Sequence, residues 1–172
     1  MRILFVGDSI THGNDWASQI NFAEVENIAI PGFTTDDVEI QLDEISMHKP
    51  DAISLLIGTN DFGNILLNRS GEDVGKRVIS IISAIKSELP KSKLVVNSIL
   101  PRSLEFSERI HQANAVIESF NSVEFQYLNC WPALSENNFL NPIFLLQDGF
   151  DVHLSPLGYQ AWSEVLIPAL KN

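Results

Sequence analysis

The sequence is poor in cysteine, in basic residues and in long apolar runs. Its single cysteine, Cys130, excludes an internal disulfide and a cysteine-rich zinc site. Only 11 Lys and Arg stand against 22 Asp and Glu, and the resulting net charge of -11 repels phosphate backbones. No apolar run approaches the roughly 18 residues of a membrane span. We therefore expect neither nucleic acid nor an anionic lipid surface as a partner, and no transmembrane segment.

The amino-terminal residues lack the pattern of a secretory signal. Their first apolar run, residues 3–6, is short and is followed at once by Gly7 and Asp8. None of the histidines has a metal-ligand spacing such as HExxH; they are His12, His48, His111 and His153. We expect a cytoplasmic protein that uses no metal and no other cofactor.

The length and the apolar pattern indicate one α/β domain over residues 1–172. A chain of 172 residues with 45% hydrophobic and 19% charged residues is typical of a packed globular domain. Continuous apolar runs, typical of strands buried on both faces, occur at residues 2–6, 25–30, 52–57, 94–100 and 123–128. Because helical periods separate these runs, we predict a five-stranded parallel sheet with helices on both faces.

The helical periods have recognisable starts and ends. One begins after residue 34 and is bounded by Pro50, the clearest spans residues 71–89, and another covers residues 106–120. A last helix opens at Ser155 and Pro156, where a hydroxyl cap precedes a proline at the first helical position. The least regular stretch, residues 135–151, is expected to be a surface loop with one short helix.

Polar residues follow the predicted strands, where parallel α/β folds bind their ligands. Four segments carry them: GDSIT at 7–11, IPGFT at 30–34, GTND at 58–61 and DGFDVHLS at 148–155. A serine hydroxyl becomes a nucleophile when a histidine accepts its proton and a carboxylate orients that histidine. Backbone and side-chain amides can stabilise the oxyanion that then develops. The segments therefore predict acyl transfer, with Ser9 and His153 brought together by the fold.

These segments resemble those of the SGNH hydrolases, also called the GDSL esterase/lipase family. Ser9, Gly32, Asn60 and His153 match the four residues that give the family its name, in the same order and over essentially the whole chain. The resemblance implies a flavodoxin-like three-layer α/β/α sandwich and metal-free hydrolysis of esters. It also implies an oxyanion hole formed by the Ser9 and Gly32 amides and the Asn60 side chain.

The acid of the site departs from the family pattern. The family usually places its catalytic aspartate three residues before the histidine, and Phe150 holds that position here. Asp151 stands two residues before His153, and Asp148 stands five before it. We favour Asp151 as the acid and keep Asp148 as the alternative, with a backbone carbonyl or no acid as a third reading, because the shape of the intervening turn decides between them.

The same residues could also have purely structural roles. Ser9 and Asn60 could each cap a helix, Gly32 could be a turn residue beside Pro31, and Asp8 is expected to make loop hydrogen bonds. Because four matching segments occur in the family's order, we favour the catalytic interpretation over these separate structural roles.

We therefore predict a serine esterase that cleaves small-molecule esters through an acyl-Ser9 intermediate. The chain has no lid insertion, which favours small acyl groups such as acetyl. Two other functions remain open. A flavodoxin-type electron carrier fits the size, acidity and fold class, although Asp8 would repel a phosphate. A catalytically silent binding protein of the same fold fits the displaced aspartate.

Overall fold

The computed structural model describes residues 1–64, 66–67, 69–120 and 123–171. Its main sheet has five parallel strands in the order β2-β1-β3-β4-β5. These strands are β1 (Arg2–Gly7), β2 (Glu24–Asn27), β3 (Ala52–Leu56), β4 (Lys93–Asn97) and β5 (Gln126–Leu128). All five lie within or beside the apolar runs of the sequence, and the predicted fold class is confirmed.

Nine helices accompany the strands within the described residues. They are α1 (Ser9–His12), α2 (Trp16–Gln19), α3 (Thr35–Ile40), α4 (Leu42–Met47), α5 (Thr59–Gly63), α6 (Gly71–Glu88), α7 (Leu104–Ser119), α8 (Trp131–Leu134) and α9 (Pro156–Lys171). The helix predicted after residue 34 is divided in two at Gln41. Its N–H is shared between the carbonyls of Asp37 and Val38, as is common at helix ends.

The sheet separates two hydrophobic cores, because successive strand residues point to opposite faces. In β1, Leu4 and Val6 pack with the apolar sides of α3, α4, α6 and α7. Ile3 and Phe5 pack on the other face with residues of α1, α2, α8 and α9. These three layers place the carboxyl ends of β1 and β3 side by side, and the segments containing Ser9 and Asn60 follow them directly.

The stretch 135–151 is more ordered than its sequence indicated. Strands β6 (Ser135–Glu136) and β7 (Phe139–Leu140) form an antiparallel ribbon, and a 3-10 turn follows at Pro142–Phe144. Asn137 and Asn138 join the two strands with φ values of 50° and 65°. Asparagine tolerates this left-handed region and favours two-residue hairpins, so the Asn-Asn pair is the local sequence signal for this turn.

Within the described ranges, no helix is both long and apolar enough to cross a bilayer. The same residues contain no group of three or more His, Cys, Asp or Glu side chains placed to hold a metal ion.

Candidate active site

Ser9 is the first residue of α1 and is held there by a tight strand-to-helix turn. A Cβ on Gly7 would lie 2.3 Å from the Leu56 carbonyl oxygen, so only glycine fits at the end of β1. Asp8 then caps the helix, and its Oδ1 accepts the Ile10 N–H at 2.9 Å. Because Ser9 occupies the first helical position, its own N–H has no acceptor within α1. Both its hydroxyl and its amide are therefore presented at the edge of the sheet.

The structure brings Ser9 and His153 into contact although they lie 144 residues apart in the chain. Ser9 Oγ is 3.0 Å from His153 Nε2, and His153 Nδ1 is 2.6 Å from Asp148 Oδ2. The His153 carbonyl accepts the Leu146 N–H at 2.8 Å, which holds the backbone beneath the imidazole. Hydroxyl, imidazole and carboxylate form one continuous chain, the arrangement that activates a serine nucleophile.

Asp148 reaches the imidazole because the chain turns sharply after it. Gly149 adopts a φ of +92°, a conformation that favours glycine, and Asp148 Oδ1 accepts the Phe150 N–H at 3.0 Å. The hydrogen bond from His153, followed by that from the Phe150 N–H, lowers the pKa of the Asp148 carboxyl below its usual value. Asp148 is therefore ionised at neutral pH and faces the ring.

Asp151, the acid favoured from sequence, is bound elsewhere. Arg102 grips it with Nη2 at 2.6 Å from Oδ1 and Nε at 3.1 Å from Oδ2, and the Ser103 hydroxyl donates to it at 2.7 Å. Partial burial raises the pKa of Asp151, but the hydrogen bonds of Arg102 and Ser103 outweigh burial and lower the pKa to about 2. The structure therefore places Asp148, and not Asp151, against the imidazole, since the guanidinium holds both Asp151 oxygens.

Arg102 lines the same cleft as Ser9 and His153, and the sequence did not predict its presence there. It is buried, and its Nη1 donates to the Thr59 carbonyl at 3.1 Å, so it joins α5 to the loop carrying His153. Nothing near it in sequence marks it, because Asp151 lies 49 residues further along the chain.

Gly32 and Asn60 lie beside Ser9 on the lining of one cleft of about 540 Å³. Gly32 has a φ of +84°, so the turn after Pro31 requires glycine's conformational freedom. Asn60 lies inside the first turn of α5 and does not cap it; its Nδ2 donates to the Phe33 carbonyl at 2.8 Å. An amide nitrogen carries two hydrogens, so Asn60 Nδ2 retains one for a ligand in the cleft. We call this space the oxyanion cleft, after the role that the sequence resemblance implies for Gly32 and Asn60.

Asp8 lies beneath the site and is fully buried. Its Oδ2 has no hydrogen-bond partner among the described residues. Burial raises the pKa of the Asp8 carboxyl to about 7, against the opposing effect of the hydrogen bond from the Ile10 N–H. Asp8 makes the local hydrogen bond expected of it, and it is also a titrating group next to Ser9.

Replacement of Asp8 by asparagine is expected to remove a pH dependence of stability. Because the pKa of Asp8 rises from 3.8 to about 7 on folding, the native state binds more protons than the unfolded chain between these values. The free energy of unfolding therefore falls as pH rises through this window. Asp8→Asn keeps the oxygen that accepts the Ile10 N–H but has no proton to lose.

Urea unfolding of both proteins at about pH 5 and about pH 8 measures this effect. We expect the wild type to lose more stability than Asp8→Asn over this change of pH. Equal losses in the two proteins would contradict the effect of burial on Asp8.

Comparison with known proteins agrees with the geometry. The chain matches the GDSL-like Lipase/Acylhydrolase family over residues 5–161. A stretch of 121 residues is 30% identical to platelet-activating factor acetylhydrolase IB subunit alpha2 of Gallus gallus. The matched stretch covers 67% of this chain and 50% of that protein. The chain thus spans about half the length of this curated relative.

Solved structures share the fold along nearly the whole chain. A GDSL-like lipase from Bacteroides thetaiotaomicron superposes with a TM-score of 0.81 at 22% identity, covering 99% of this chain and 87% of that one. A carbohydrate esterase family 3 protein from Talaromyces cellulolyticus superposes with a TM-score of 0.74 at 19% identity, covering 99% and 96%. Together with the family match over residues 5–161, these similarities show that the chain belongs to the GDSL-like lipase/acylhydrolase family.

Proposed function

We propose that the chain hydrolyses carboxylic esters of small acyl groups such as acetyl, through an acyl-Ser9 intermediate. The observation that carries this proposal is the unbroken contact from Ser9 Oγ through His153 to Asp148, at 3.0 Å and 2.6 Å. Electron transfer by a flavodoxin-type carrier does not require these contacts, and membership of the GDSL-like lipase/acylhydrolase family argues against that function.

The reaction begins when the Ser9 hydroxyl gives its proton to His153 Nε2 and its oxygen attacks the ester carbonyl carbon. The tetrahedral intermediate collapses as His153 returns the proton to the departing alkoxide, and the C–O bond to the alcohol breaks. Water then attacks the acyl-Ser9 ester with His153 as its base. This second half releases the carboxylic acid and restores the hydroxyl.

Asp148 is the positioning acid of this mechanism. It accepts the hydrogen on Nδ1, so Nε2 is left free to accept the serine proton, and its charge stabilises the imidazolium that forms. The lowered pKa of the Asp148 carboxyl keeps it ionised at neutral pH.

The oxyanion would be held by the N–H groups of Ser9 and Gly32 together with Asn60 Nδ2. Such donors, fixed before the reaction, each lower a barrier by about 3 kcal/mol. The Phe33 carbonyl supports this role, because it binds one Asn60 hydrogen and fixes the amide plane.

A short acyl group suits the oxyanion cleft. Its lining combines apolar side chains, among them Phe150 and Val152, with the polar side chains of Asn60, Asn64 and Arg102. A long alkyl chain that covered these polar groups would remove water from them without replacing its hydrogen bonds. The curated relative is named as an acetylhydrolase, which is consistent with an acetyl group here.

A series of p-nitrophenyl esters tests the proposal. With the alcohol held constant, we expect kcat/KM to be highest for acetate or propionate and to fall by at least about tenfold at the octanoate ester. A maximum at long acyl chains would contradict the assignment of a small acyl group. Absence of turnover with every ester would contradict the esterase and favour a silent binding protein.

A further inference from the structure

A second cavity opens on the other side of the catalytic pair. It has a volume of about 620 Å³, and its lining includes both Ser9 and His153. We call it the apolar trough, after the side chains that dominate it: Pro31, Leu146, Leu154, Pro156 and Tyr159. The mechanism above places nothing in this space.

The wall formed by Tyr159 is rigid and presents its ring. The Tyr159 hydroxyl donates to the Ile10 carbonyl at 2.8 Å, so its polar end is already bound. Trp16 and Trp162 pack around the same ring, at centroid distances of 6.4 Å and 6.3 Å. A Cβ on Gly13 would lie 2.5 Å from the Tyr159 oxygen, so glycine leaves the room that this arrangement needs. The ring is thereby fixed as an apolar surface.

The remaining walls combine apolar and polar groups: His12 and Asn14 also line the trough, and Asn14 Nδ2 has no hydrogen-bond partner among the described residues. Pro31 and Pro156 have no backbone N–H. The Gln19 amide, which also lies on the lining, is paired at both ends: its Nε2 donates to Asn14 Oδ1 at 3.1 Å, and its Oε1 accepts the Ser163 hydroxyl at 2.6 Å. Leu146 is 41% exposed although it lies beside the reacting groups. An apolar ligand would cover that surface without stripping hydrogen bonds.

The trough continues along α9. Gln19 and Pro156 also line a second depression of about 390 Å³, which reaches Ile167 and Pro168 near the end of that helix. Pro168 lies twelve positions after Pro156 in this helix, which corresponds to about 18 Å at 1.5 Å per residue. The two cavities together form a path long enough for an extended alkyl chain that starts at Ser9.

The two sides of the catalytic pair differ in what they offer an ester. The carbonyl oxygen must meet Gly32 and Asn60, which line the oxyanion cleft and are not among the residues that line the trough. The departing alcohol must lie near His153 Nε2, and His153 lines both cavities. An ester with its acyl group in the cleft therefore directs its alcohol into the trough.

We propose that the apolar trough binds the alcohol moiety of the ester, so that the preferred substrates are short-acyl esters of long apolar alcohols. This inference rests on the acyl-Ser9 mechanism proposed above, and it adds a specificity site that the mechanism itself does not require.

Alkyl acetates of increasing alcohol length, each kept below its solubility limit, test the trough. We expect kcat/KM of the wild type to rise by at least about tenfold from ethyl to octyl acetate, because each buried methylene adds to transition-state binding. Leu146→Gln should reduce the octyl-to-ethyl ratio by at least about fivefold. Ile40→Gln, which changes an exposed apolar residue that lines neither cavity, should keep the wild-type ratio.

The outcomes separate this inference from the function beneath it. If kcat/KM for acetates does not depend on alcohol length, or if Leu146→Gln keeps the wild-type ratio, the trough does not bind the alcohol. The proposed esterase activity would still stand. A Leu146-dependent preference for long acyl chains on p-nitrophenol would assign the trough to the acyl group and overturn its assignment to the alcohol. Failure to cleave any ester would overturn both proposals.

Discussion

Replacement of Ser9 by alanine is expected to lower kcat for p-nitrophenyl acetate by at least about 10⁴-fold. The hydroxyl is the atom that attacks, and no other hydroxyl is recorded within hydrogen-bond reach of His153 Nε2 among the described residues. Steady-state kinetics with the purified variant measures the loss. The fold should be retained, because Ser9 is half-buried and Asp8, not Ser9, caps α1.

A matched control and a double variant sharpen this result. Ser80→Ala changes an exposed serine on α6, and we expect it to keep wild-type kcat. His153→Ala should cost about as much as Ser9→Ala, and the double variant no more than either, because the two residues act as one unit. Additive losses, or a Ser9→Ala protein with nearly full activity, would contradict the acyl-Ser9 mechanism.

Asp148→Asn is expected to lower kcat by about 10³- to 10⁴-fold. An asparagine at this position can present its NH₂ to the ring, which places the imidazole hydrogen on Nε2, and the base can then no longer accept the serine proton. The same change at Asp151 should lower kcat by less than about tenfold, because Asp151 contacts Arg102 and Ser103 and not the imidazole.

Stability should respond in the opposite order. Asp151→Asn removes the charge partner of Arg102, whose side chain is only 9% exposed, so we expect a lower Tm for this variant. Asp148 lies on an exposed turn, and its replacement should change Tm little. Kinetics and thermal unfolding of the two variants form one paired measurement. The reversed pattern would restore the sequence-based preference for Asp151.

Asp148 and Asp151 show which features of the site can be predicted from the sequence and which cannot. The alternation of apolar runs and helical periods was enough to predict the five parallel strands, because both signals depend on local periodicity. Ser9 and His153 could be paired in advance, since parallel strand ends converge on one edge. The sequence could not show which aspartate contacts the imidazole, because this depends on the positive φ of Gly149 and on the ion pair between Arg102 and Asp151.

The same limit applies to the oxyanion donors. The sequence left two roles open to Asn60. The fold removes the capping role, because Asn60 lies inside the first turn of α5, and its amide binds the Phe33 carbonyl of another strand-end segment. The apolar trough is even harder to predict from local sequence patterns. Its walls come from residues near 31, 146 and 156, whose proximity is a property of the tertiary structure.

The most direct test of the central claim is to treat the protein with a fluorophosphonate and locate the adduct by peptide mass spectrometry. We predict one modified residue, Ser9, with labelling lost in His153→Ala and strongly slowed in Asp148→Asn. A folded wild-type protein that stays unmodified, or carries the adduct on another residue, would contradict the proposal that Ser9 is the activated nucleophile.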